Sequence, residues 1–150
     1  YNTHIWSPVY KTHVDLIEHV QRRFTKMLDG LHALSYPDRL AATGLESLEL
    51  RRLKSDLCMY FKIINGQTCL SADEYFKFDC SVKLTRTSSN LQLVKPRYNT
   101  DLLKHIFFVR VVDAWNSLPI HVREAKSCKK FNSLLQCIDF KKFLVGSYLF

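Results

Sequence analysis

Hydrophobic and polar positions along the chain lay out a series of helices. From Thr12 onward, Val14, Ile17, Val20, Phe24 and Leu28 recur at helical spacing and predict one apolar stripe turned toward a core. Thr12 and Asp15, three residues apart, have the form of a capping box. Asp15 and Glu18 fall in the early turns and Arg22, Arg23 and Lys26 in the late ones, which suits the helix dipole. Gly30 offers a left-handed stop. A short second helix is entered at Ser35, with Pro37 and Asp38 in its first turn, and closed by Gly44. Ser47 opens the longest helix, which runs to Gly66. Leu50, Leu53, Leu57, Tyr60, Phe61 and Ile64 make its core-facing band. Leu48, Met59 and Ile63 make a second apolar patch on nearly the opposite side, so this helix is expected to be the central, sandwiched element.

Ser71 and Glu74 propose a one- or two-turn helix through Phe76. From Asp79 to Thr100 the helical period fails, and Val82–Thr87 and Leu91–Lys95 read as short extended pieces around Ser88-Ser89-Asn90, ended by Pro96. Helical patterning returns with Phe107, Phe108, Val111, Trp115 and Leu118 on one broad face and stops at Pro119. A last helix opens at Ser127, with Phe131, Leu134, Leu135 and Ile138 inward. The expected fold is mainly α, a helical bundle-like domain with a small β-hairpin. Residues 1–76 form a helical subdomain and 77–150 a basic hairpin plus C-terminal helices, packed as one unit.

Charge changes the picture because it is uneven. The chain of 150 residues carries a net charge of +8. Residues 1–75 hold nine Lys or Arg against nine Asp or Glu, and residues 76–150 hold thirteen against five. Phosphate backbones reward clustered cations through counterion release, although a solvated basic surface also serves solubility. Lys83, Arg86, Lys95, Arg97 and Lys104 crowd an irregular, Ser-rich segment and carry the strongest case for backbone contact. Tyr98 beside them could stack on a base or simply pack. Arg22, Arg23 and Lys26 could follow a phosphate strand along the first helix, or simply match its dipole. Arg51, Lys54 and Lys62 share one side of the central helix, while Arg52 can pair with Asp56. Arg110 is assigned to structure, with Asp113 or the hairpin as partner. Trp115, Phe107 and Phe108 are assigned to the core, Asn116 to closing its own helix, and Trp6 and Pro8 to a packed entry into the first helix.

Other chemistry is poorly represented. Two-metal polymerase chemistry needs adjacent carboxylates, and the chain has no Asp-Asp pair. The four glycines stand apart, so no phosphate-binding glycine loop is present. Five cysteines without a C-x-x-C pair point to reduced thiols used as small core residues, and neither zinc nor another cofactor is expected. With no apolar run of membrane-spanning length and no leader, a membrane is not an expected partner, and the protein reads as intracellular, in nucleus or cytoplasm.

Two stretches carry a resemblance. Trp-Ser-Pro at 6–8, followed by a helix containing Val20-Gln21-Arg22-Arg23, and Phe107-Phe108-x-Arg110-Val111-Val112-x-x-Trp115-Asn116-x-Leu118-Pro119 resemble the C-terminal (thumb and post-thumb) region of the reverse transcriptase of non-LTR, LINE-type, jockey-like retrotransposons. Leu34-Ser35-Tyr36-x-x-Arg39-Leu40, Gly44-Leu45-x-Ser47-Leu48-Glu49-x-Arg51-Arg52, Asp56-Leu57, Lys62-Ile63-x-Asn65-Gly66 and Lys95-Pro96-Arg97 are similar to family positions in family order. The resemblance implies a segment that grips RNA template and growing DNA without sequence preference and has no catalytic aspartates of its own. Its partners would be RNA, DNA and the fingers and palm of the parent polymerase, which would also bind the Mg ions. A helical protein–protein module or an inert relic of such an element is the alternative.

Overall fold

A computed structural model describes residues 3–78, 92–97, 99–100, 103 and 105–146. The described chain is mainly helical: α1 (Lys11–Lys26), α2 (Tyr36–Thr43), α3 (Leu48–Ile64), α4 (Ala72–Tyr75), α5 (Phe107–Asn116), α6 (Ile120–Arg123), α7 (Cys128–Leu135) and a closing 3-10 turn at Lys141–Phe143. The residues form two compact units. One holds Trp6–Leu53 with Phe140–Phe150, the other Tyr1–Ile5 with Lys54–Asp139. The units part inside α3, between Leu53 and Lys54.

In the first unit α2 follows its sequence signals closely. Ser35 Oγ accepts the Asp38 N–H, Pro37 sits in the first turn, and Gly44 closes the helix at φ +65°, where a side chain would be strained. Ser47 Oγ accepts the Leu50 N–H at 3.2 Å and opens α3. Glu49 holds the C-terminal stretch, accepting from the Val145 and Gly146 N–H groups at 2.7 and 2.9 Å.

Helix α1 has the expected extent but presents a different face. Its buried positions are Val14, Glu18, Gln21 and Thr25, again at helical spacing but mostly polar. Ile17 and Leu28 are half-buried, and Val20 and Phe24 point outward. The reason lies in the partners. Glu18 accepts from the Leu48 N–H at 2.9 Å and from the Tyr36 hydroxyl at 2.5 Å. Gln21 donates to Glu46 O at 2.8 Å, and Thr25 Oγ1 accepts from Arg39 Nε at 3.2 Å. Buried polar groups that find such partners can replace an apolar seam. The capping box is replaced as well: Tyr10 takes the N-cap position without a side-chain bond, and Asp15 pairs with Lys11 at 3.0 Å. Trp6, expected in a packed entry, is 61% exposed.

The second unit is built on aromatic contacts. Tyr60 lies edge-on to both Trp115 and Phe76, each with ring centroids 4.5 Å apart. Phe61 stacks on Phe131 at 4.4 Å. These rings and Leu57, Val111, Val112 and Leu135 are fully or almost fully buried. Lys54 meets Gln136, Cys58 meets Asn132 and Phe61 meets Phe131, so α7 runs antiparallel to the second half of α3. Helix α5 forms despite its β-branched residues because Phe107, Val109, Val111, Val112, Ala114 and Trp115 are all buried. Tertiary packing outweighs the propensity deficit of a few tenths of a kcal/mol per residue. Pro119 ends the α5 segment as expected and then serves as the N-cap of α6, a turn the apolar pattern did not announce.

Most of the expected hairpin lies outside the described residues. At its returning end Leu93 makes an antiparallel bridge to Phe78, with Val94 N–H donating to Lys77 O at 2.8 Å.

Candidate nucleic-acid interface

Polar residues of α5 are engaged in contacts that hold the second unit together. Arg110 forms a two-pronged pair with Asp56 on α3, Nε to Oδ2 at 2.8 Å and a terminal nitrogen to Oδ1 at 3.1 Å. The same guanidinium donates to Thr3 O at 2.9 Å, His4 O at 3.2 Å and His105 O at 3.3 Å. His4 Nδ1 completes the cluster, 3.0 Å from Asp56 Oδ1. This corrects two expectations: the partner of Arg110 is Asp56, not Asp113, and Asp56 is taken by Arg110 rather than Arg52. Only a planar fork can serve a carboxylate and three carbonyls together.

Asn116 is also engaged away from its own helix. Its carboxamide accepts the Leu93 N–H and donates to Leu93 O, both at 2.9 Å. The amide stands in for a neighbouring strand and holds the bridge to Phe78 against α5. Trp115 is fully buried. Arg110, Trp115 and Asn116 of α5 therefore build structure.

Arg23, Lys26 and Arg51 are exposed on the first unit. Arg22 is half-buried, with its guanidinium 5.1 Å from the Tyr36 ring centroid. On the second unit Lys62, Lys95 and Arg97 are exposed, and Lys95 forms an ion pair with Asp113. Lys54 is turned inward, almost completely buried, and donates to Gln136 Oε1 at 2.8 Å. Packing of α7 across that side of α3 removes it from the surface. Lys83, Arg86 and Lys104, with Tyr98, lie outside the described residues.

One group was not singled out in the sequence. Lys129 and Lys130 are exposed in the first turn of α7, with Lys126 just before it. The antiparallel packing brings this end of α7 toward the C-terminal end of α3, where Lys62 stands. Both Cys128 and Lys62 act electrostatically on Cys58 between them. The run Lys126-x-x-Lys129-Lys130 was the available signal, obscured because it precedes the inward residues of a core helix.

Several acids are engaged by neighbouring groups. Glu18 and Asp56 are buried against donors, and Asp15 and Asp113 are paired with lysines. Burial, then the hydrogen bond to Glu18, raises the pKa of Tyr36 well above the usual phenol range. Burial alone does the same to Tyr60, and it lowers that of Arg123. Among the described residues no group of three or more His, Cys, Asp or Glu could hold a metal ion.

The cysteines differ from the expected core role. Cys58 and Cys128 are half-buried, while Cys69 and Cys137 are exposed, and all four are free thiols. Burial, followed by neighbouring Cys128, pushes the Cys58 thiol up to about 11 from 9.0. Near pH 8 its thiolate will be about a hundredfold scarcer than that of an ordinary thiol. In an iodoacetamide time course read by mass spectrometry, Cys69 and Cys137 will be alkylated first and Cys58 last. Equal rates for Cys58 and Cys69 would contradict the packing of α7 on α3.

Comparison of the chain with family models, with curated proteins and with solved structures finds no match.

Proposed function

We propose that this chain is the non-catalytic C-terminal segment of an RNA-directed DNA polymerase of the non-LTR retrotransposon type, gripping template–primer or target nucleic acid through exposed lysines and arginines. The supporting observation is the set of exposed cations on the described residues. Arg23, Lys26, Arg51, Lys62, Arg97, Lys129 and Lys130 face solvent. Exposed cations on a chain of net charge +8 attract a polyanion. On this reading the contacts are to phosphates and carry no base preference. Bond-making and its Mg ions belong to the fingers and palm outside this chain, and the work is done in nucleus or cytoplasm. Among the described residues no helix is long and apolar enough to cross a membrane.

The test is salt dependence. If about four phosphates are neutralised, affinity for an RNA–DNA hybrid will fall about a hundredfold between 50 and 200 mM salt. Lys62→Glu and Arg97→Glu will each weaken binding to hybrid and to DNA duplex by similar factors. A folded chain that ignores both in dilute buffer, or binds them regardless of salt, rules the reading out.

A second reading, a helical protein-binding module, draws on the central helix. Met59, from its second apolar face, opens on an apolar cavity of about 400 Å³ lined also by His4, Ile5, Leu70, Ile106, Phe107 and Phe108. Binding through such a cavity would be nearly indifferent to salt, so the same titration separates the two.

A further inference from the structure

The outward side of α1 reverses the usual arrangement of a surface helix. Leu16, Val20, Phe24 and Met27 are 70%, 69%, 58% and 78% exposed. At about 100° per residue they fall within an arc of roughly 80° and form one stripe about 16 Å long. The inward face of the helix is already occupied by Val14 and by Glu18, Gln21 and Thr25 with their partners, so most of the stripe's surface remains in solvent. A continuous exposed apolar strip of this kind marks an interaction surface.

Its borders are unlike each other. Along one run Arg23, His19 and Lys26, all exposed. Along the other lie Ile17 and Leu28, half-buried against the fold. We propose that the stripe Leu16/Val20/Phe24/Met27 docks an amphipathic helix of a partner protein whose apolar face carries acidic residues along one edge. The stripe has the width and spacing of a helix-packing ridge, and the one-sided basic border selects the edge chemistry. A second copy of this chain fits less well. In a two-fold antiparallel pair like edges face each other, so Arg23 and Lys26 would meet their own counterparts. A bilayer surface would favour cations along both borders, and only one has them. Nucleic acid would engage the cations but leave the stripe in water. The stripe itself takes no part in the proposed grip on phosphates, and Arg23 and Lys26 on its border belong to both.

The experiment uses the whole chain and two fluorescein-labelled synthetic helical peptides of about five turns. Both carry leucines at i, i+3, i+4 and i+7 spacing. One has glutamates along a single border and the other lysines there. In fluorescence anisotropy the Glu-bordered peptide will bind at micromolar concentration and the Lys-bordered one at least about tenfold more weakly. Val20→Glu with Phe24→Glu will abolish binding. Both residues are exposed, so the far-UV circular dichroism will not change. Arg23→Glu with Lys26→Glu will reverse the preference between the peptides without touching the stripe. Equal affinity for the two peptides, or no binding up to about 100 μM, overturns the proposal. So does undiminished binding by the Val20/Phe24 variant. Stripe-dependent self-association in sedimentation, or tighter binding to phosphatidylserine vesicles than to the Glu-bordered peptide, would assign the surface to another occupant and overturn it equally.

Discussion

Arg110→Ala will destabilise the second unit by about 3–5 kcal/mol, the loss expected when a buried ion pair is broken from one side. Asp56 would be left at 3% side-chain exposure with only His4 Nδ1, 3.0 Å away, in place of the guanidinium. Three carbonyls, of Thr3, His4 and His105, would lose a donor at the same time. Urea denaturation followed by the fluorescence of buried Trp115 measures the effect. Arg110→Lys will recover only part of it, because an ammonium cannot fork across the carboxylate and reach the carbonyls together. Arg110→Met with Asp56→Leu will recover most of it, since removing both charges leaves none stranded. A loss below about 1 kcal/mol for Arg110→Ala would show that the pair is not shielded as described. Residues 3–5 will also become the first site of proteolysis in the alanine variant, since the guanidinium is what fastens their carbonyls to α5.

Glu18→Ala will cost about 2–4 kcal/mol, combining a lost buried acceptor with the space it vacates. The Leu48 N–H at the start of α3 and the Tyr36 hydroxyl both lose their acceptor. A carboxylate at a helix N-terminus also matches the helix dipole, which the alanine variant forfeits. Thermal denaturation measures the loss, and Tyr36 supplies a second readout. Its folded pKa is raised above the usual 10.0, by burial first and Glu18 second. The protonated phenol therefore contributes stability in full below pH 10, and that contribution is lost as pH climbs through the folded value. In a 295 nm absorbance titration Tyr36 will ionise well above ordinary tyrosines. Glu18→Gln keeps the shape but removes the charge, and will lower that value only partway because burial remains. No movement in the Tyr36 titration on Glu18→Gln would mean the hydroxyl and carboxylate are not in contact.

These two residues also mark how far the sequence could be read. Local signals performed well: Ser35, Pro37 and Gly44 bounded α2, Ser47 opened α3, and Ser127 opened α7. Each depends on a bond or backbone angle within a few residues. Leu57, Tyr60 and Phe61 in the expected band of α3, and the burial of Trp115, were legible too, while Leu50, Leu53 and Ile64 of that band are only half-buried and Ile63 from the opposite patch is buried. Where the apolar pattern misled was α1. Its inward residues are polar, and what admits them is a backbone N–H at Leu48, a carbonyl at Glu46 and a guanidinium at Arg39, all distant in sequence. Pairwise spacing carries no record of such partners. Arg110 illustrates the same limit, since its nearest acid along the chain is Asp113 and its true partner lies 54 positions away. For the candidate interface, exposed Arg23, Lys26, Arg51, Lys62, Lys95 and Arg97 were legible as charges, whereas the burial of Lys54 depended on where α7 would lie.

The polar seam beneath α1 has one more consequence. Greasy surfaces tolerate sliding, since one methyl group replaces another at little cost. Here a shift of α1 by four residues in one direction would set Arg22 opposite the Leu48 N–H, a donor against a donor, and in the other would offer it Val14, which accepts nothing. Either slip also strands the hydroxyl of Tyr36. The helix therefore has a single seating, fixed by complementary atoms rather than by volume, and whatever stands on its outer side is presented at one fixed rotation.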